Sequence, residues 1–100
     1  MIIYIAGRMT GLPDLGKASF DAAAEKLRGE GHIVLNPADL PVGMPVDRYM
    51  PICLAMVNAA DAVYMLKGWG SSPGAILERM YAGYQGKQII QEREGETDES

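Results

Sequence analysis

Apolar residues fall along the chain in two alternating rhythms. Ile2–Ala6 (IIYIA) is a short unbroken apolar run closed by Gly7, the pattern of a strand buried on both faces. GRMTGLPDLG follows, with three glycines and a proline, and reads as a loop. KASFDAAAEKLRGEG then switches to helical spacing, with Phe20, Ala23, Ala24 and Leu27 on one face and Gly29 and Gly31 at its end. HIVLN is a second strand, stopped by Asn36-Pro37. In the next segment Asp47 is expected to cap a helix reaching about Ala60, with Pro51 in its first turn, where a missing N–H costs little. Ala62–Leu66 (AVYML) is a third strand. Ser72 and Pro73 sit at the N-cap and first position of a third helix. Lys87–Ile90 (KQII) is a fourth strand.

The order β-α-β-α-β-α-β, with strands that are apolar throughout, predicts an α/β fold. It is a single-domain, Rossmann-like or flavodoxin-like three-layer arrangement around a parallel sheet. Ligands of such sheets bind beyond the carboxyl ends of the strands. Gly7–Gly11, Asn36–Asp39 and Gly68–Ser72 are expected at that edge.

Composition narrows the classes. One hundred residues, 48% apolar and 22% charged, make one globular domain, expected over 1–91, with an acidic, frayed tail over 92–100. A net charge of −4 without a basic run argues against sequence-independent nucleic-acid binding. No stretch approaches a membrane span, and MIIYIAGRMTG has no leader-like pattern. With Cys53 as the one cysteine, no internal disulfide forms, and a reduced, cytoplasmic setting is expected. No grouping of His, Cys and acids has metal spacing, so neither metal nor cofactor is expected.

The chemistry concentrates around Glu78. A helix glutamate is ordinarily solvated and paired with a base three or four residues away. Here those neighbours are Gly74, Ala75, Tyr81 and Ala82. Glu78 shares its face with small residues, which would let a ligand approach, and it lies near the helix's positive end. GRMTG is either a glycine-bearing turn or a phosphate cradle, in which Gly7 and Gly11 free backbone N–H groups, Arg8 supplies charge and Thr10 a hydroxyl. It is not the dinucleotide fingerprint. Ser71 and Ser72 are caps or anion ligands. Trp69 stacks on a base or covers the core. Tyr4 has its ring in the core and a hydroxyl in need of a partner. Asp61, on the opposite edge, reads as structural, and His32, likewise at a strand start, reads as a surface residue. Cys53, with no histidine nearby in sequence, reads as buried packing rather than a nucleophile.

YIAGRMTG, GHIVLNPADL, DAVYMLKGW and SSPGAILERMYAGYQGK, in this order, resemble the nucleoside 2-deoxyribosyltransferase superfamily, in particular its small phage and bacterial branch. The resemblance covers about residues 1–90 and is more specific for fold than for activity. It implies that Glu78 is the nucleophile attacking the anomeric carbon of a nucleoside or nucleotide, with Tyr4 beside it. It implies Ser72 at the 5′-phosphate, with Gly7, Arg8, Thr10 and Gly11 lining the sugar-phosphate site. Gly74 belongs to the same motif and is taken as a substrate contact with Trp69. The activity implied is a nucleotide N-glycosidase or a deoxyribosyltransferase on a nucleoside 5′-monophosphate, in a homodimer or larger homo-oligomer, with Met80, Tyr81 and Tyr84 as candidate contacts. Two positions depart from the family pattern. The aspartate found in many relatives eight residues before the third-strand aspartate is Cys53 here, and the loop proline is Arg8. The first departure keeps open a protein that binds a nucleotide with little or no turnover, and a third reading keeps the fold for another surface altogether.

Overall fold

The computed structural model describes residues 1–92; the expected acidic tail, apart from Glu92, lies outside the described residues. Four strands, β1 (Ile2–Ala6), β2 (Ile33–Leu35), β3 (Ala62–Met65) and β4 (Gln88–Gln91), alternate with three helices, α1 (Lys17–Gly29), α2 (Val46–Ala59) and α3 (Pro73–Tyr84). All strand pairs are parallel, in the order β2-β1-β3-β4. The α/β three-layer expectation is met.

Strand alternation sorts the core into two layers. Ile3, Ile5, Ala62, Tyr64 and Leu66 face α1, meeting Phe20, Ala23, Ala24 and Leu27. Tyr4, Ala6, Val63 and Met65 face the other way, onto Cys53 and Val57 of α2 and Ala75 and Ala82 of α3. One helix therefore covers one face and two cover the other. Central β1 and β3 are buried on both sides, whereas edge strands β2 and β4 are half-exposed. Asp61 fastens the amino edge: its carboxylate accepts from Ile2 N at 2.8 Å and its own N–H donates to Ile2 O at 2.7 Å.

Three local readings need correction. The second helix starts at Val46 behind Pro45, so Asp47 lies in its first turn and not at its cap. Pro51 is then a full turn inside the helix, on its exposed side, where water can take the carbonyl left without a donor. The last strand runs one residue later than expected, and Glu92 still joins it, donating N–H to Met65 O and accepting Lys67 N on its carboxylate. The loop after β1 is also more ordered than its composition suggests. Leu12 N bonds Met9 O, Leu15 N bonds Leu12 O, and Asp14, Leu15 and Gly16 take successive left-handed conformations (φ 55°, 53° and 73°). These turns fold the loop back until Gly16 lies under the Arg8 carbonyl, where a Cβ would stand 2.9 Å from the oxygen.

Candidate active site

The strand order reverses between β1 and β3, so the crevice at their carboxyl ends is the natural ligand position in this fold. Two connections flank it: the loop from Gly7, and the segment Gly68–Ser72 that leads into α3. The floor is tight. Leu66 N donates to Ala6 O at 2.8 Å, and a Cβ on Gly7 would lie 2.8 Å from Leu66 Cδ1 and 2.9 Å from its Cβ. Gly7→Ala should therefore force the two strand ends apart, at about 1–3 kcal/mol as for other overpacked core sites. A melting curve checks this; an unchanged midpoint would mean that the strands part freely there.

The start of α3 explains itself. Ser72 is extended, its Oγ accepts Ala75 N at 3.2 Å, and Pro73 fills the first helical position, where no N–H is needed. Because that hydroxyl is an acceptor in the cap, its proton is left to donate outward. Ser71 instead turns its hydroxyl to Gly68 O at 2.9 Å. Once the helix starts at Pro73, the face toward the sheet is Ala75, Glu78 and Ala82. An acid thus occupies a core position between two alanines.

Glu78 is 6% exposed. The Tyr4 hydroxyl donates to its Oε2 at 3.0 Å, across a sequence separation of 74 residues. The Cys53 thiol is buried on α2 in the same core layer as Tyr4. Burial raises the Glu78 carboxyl from its ordinary 4.5 to about 7, against the opposing pull of the Tyr4 hydroxyl and the Cys53 thiol. Burial first, and the Glu78 charge second, push the Tyr4 hydroxyl well above its ordinary value. Burial likewise pushes the Cys53 thiol up. Such a carboxyl is partly ionised near neutrality, held in place by the neutral Tyr4 donor, and suited to act as nucleophile or base.

The other sequence candidates divide. Gly74 packs closely against α2, where a Cβ would lie 3.5 Å from Met50 Sδ. Trp69 is half-buried against the same core layer as Tyr4 and Cys53, and the Arg79 guanidinium lies 5.4 Å from its ring centroid. Arg8 and Thr10 are exposed, and Arg8 Nε donates to Thr10 O at 3.1 Å, so the cation is turned along its own loop. Gly11 has φ 84°, and a Cβ there would meet Arg8 Nη2 at 2.9 Å. Cys53 is buried in the core, as expected, and its place eight residues before Asp61 puts it in the layer that holds Tyr4. Asn36, placed by the sequence at the ligand edge, is buried just after β2, accepts Ala38 N and donates to Asp21 Oδ1 at 3.0 Å. Its Asn-Pro step was legible, its partner on α1 was not.

Residues 1–91 match the family described as Domain of unknown function (DUF4406). No curated protein matches the sequence. Among solved structures, the fold is similar to that of a 2-desoxiribosyltransferase from Leishmania mexicana, with a TM-score of 0.71 and 25% identity over 90% of this chain. The chain spans 62% of that protein's length.

Proposed function

The chain belongs to the DUF4406 family of domains of unknown function, and we propose that it is an enzyme that cleaves the N-glycosidic bond of a nucleoside 5′-monophosphate through Glu78. The observation that carries the reading is the buried Glu78 carboxyl, hydrogen-bonded to Tyr4 at a fold position where ligands bind. Likeness to a 2-desoxiribosyltransferase supports a sugar–base bond as the target. In this scheme Glu78 attacks the anomeric carbon, Tyr4 orients it, and the base leaves. Water takes the sugar in hydrolysis; a second base takes it in transfer. The outward proton of Ser72 and the N–H groups at the start of α3 favour the 5′-phosphate. Gly7, Arg8, Thr10 and Gly11 would close over the sugar-phosphate, with Gly74 and Trp69 beside the base. Of the expected contacts, exposed Met80 and Tyr84, with Leu77 beside them on the outer side of α3, suit contact with a second copy of the chain, whereas Tyr81 packs against the core. Among the described residues, no helix is long and apolar enough to cross a membrane.

The deciding experiment is a panel of ribo- and deoxyribonucleoside 5′-monophosphates, read by chromatography for free base and by melting temperature for binding. Release of base from at least one member is expected. Stabilisation without release would favour the second reading, a sensing or sequestering module, for which Cys53 in place of a second acid is the motive. Neither effect would overturn both.

A further inference from the structure

An N-glycosidic bond breaks with its electron pair on the departing nitrogen. A neutral base then leaves as an anion unless a proton reaches it, and enzymes ordinarily place an acid for that purpose, worth ~10²–10⁴-fold in rate. The neutral groups beside Glu78 are poor donors to a departing base: the Tyr4 hydroxyl already gives its proton to Glu78 Oε2, and the Cys53 thiol is buried in the same core layer, where burial pushes both groups above their ordinary values. Among the described residues, no further Asp, Glu, His or Cys gathers with Cys53 and Glu78. The site is thus supplied with a nucleophile and not with an acid for the leaving group. A second observation points the same way. Among the described residues, no cation is paired with the buried Glu78: its neighbour Arg79 lies over the Trp69 ring instead. A positive charge on the ligand would favour the ionised, attacking form of the carboxyl.

Resting on the N-glycosidase reading above, we propose that the substrates are nucleoside 5′-phosphates whose base already carries a positive charge, that is, pyridinium or N-alkylpurinium nucleotides. The Glu78 carboxylate forms a bond to C1′ as the C1′–N bond breaks. The electron pair neutralises the ring nitrogen, so the base departs uncharged and no proton is required. Water then adds at C1′, Glu78 leaves as carboxylate, and the proton of the water goes to solvent. The net change is cationic nucleotide plus water to sugar phosphate, neutral base and one proton. Tyr4 holds Glu78 throughout and need not ionise.

The test compares 7-methylguanosine 5′-monophosphate with guanosine 5′-monophosphate, which differ by the methyl group and the charge it creates. Nicotinamide mononucleotide is a third substrate, and each is used in ribo and deoxyribo form on the full chain at about pH 6.5, where the methylated guanine keeps its N1 proton and its positive charge. Free base is measured against a Glu78→Gln background. kcat/KM for the methylated nucleotide should exceed that of its parent by at least ~10²-fold, the advantage of a missing acid, and nicotinamide should be released. Parity between the pair, with both cleaved, would overturn this proposal and leave the N-glycosidase reading standing. No release from any of these or from the neutral-base panel would remove both. Cys53→Asp, which adds a carboxyl beside Glu78, should narrow the ratio by accelerating the neutral base. An unchanged ratio in a folded variant would mean that protonation does not govern the choice, and would also overturn the proposal.

Discussion

Glu78→Gln is expected to abolish base release and to leave the protein at least as stable as before. The amide keeps the shape and the helix propensity of the acid and can still accept the Tyr4 hydroxyl. It cannot form a glycosyl ester or stabilise the positive charge developing on the sugar. Turnover should fall by at least ~10³-fold, as for removal of other nucleophiles. Stability moves the other way, and pH sets by how much. The folded carboxyl is raised from 4.5 to about 7, so the folded state holds a proton that the unfolded chain releases. The contribution of Glu78 is most favourable below about 4.5 and is lost as the pH climbs through about 7. Above that, the buried charge costs about 3 kcal/mol. The variant should therefore melt higher than the native protein at pH 8 and nearly with it at pH 4.5. A variant strongly destabilised at pH 8 would return Glu78 to a structural role. Undiminished turnover in a stable variant would move the chemistry elsewhere.

Tyr4→Phe separates orientation from attack. The ring stays in the core layer beneath α3, and the 3.0 Å hydrogen bond to Oε2 goes. Hydrogen bonds to charged groups contribute about 1.5–3 kcal/mol, so kcat/KM at pH 7 should drop ~10–100-fold by the same arithmetic. The pH profile carries the finer prediction. In the native protein kcat/KM should rise with pH through about 7, as free Glu78 ionises. The Tyr4 hydroxyl favours the ionised form, so its removal should move that rise to higher pH and restore part of the lost rate in alkali. A lowered rate with an unmoved profile would mean that Tyr4 acts on the substrate and not on Glu78.

Much of this arrangement is legible in the residues because local physics encodes it. The Ser72-Pro73 start of α3 needs only a hydroxyl, a ring and an extended backbone, all within three positions. It fixes the phase of the helix, and the phase places Glu78 between Ala75 and Ala82 on the covered side. An acid in a stripe of alanines announces itself. The start of α2 does not: Pro45 opens that helix without a side-chain cap, and Asp47 offered a more familiar signal two residues later. The role of Cys53 was half visible, since spacing marked the position while only tertiary packing brings the thiol to Tyr4 and Glu78. The left-handed turn at Asp14 and Leu15 is only half signed: aspartate visits that conformation more readily than most residues, but leucine does not.

The three side chains at the centre come from the first strand, the second helix and the third, at positions 4, 53 and 78. No hairpin or single crossover holds more than one of them. Each parallel pairing must close a long loop before it gains a contact, and such topologies assemble late and cooperatively. A partly folded chain, even one with α3 formed and capped, would carry Glu78 as an ordinary solvated acid with an ordinary affinity for protons. The reactive carboxyl is therefore a property of the finished sheet: during refolding, activity should return only with the last global phase, and in a failing molecule it should vanish before helical content does.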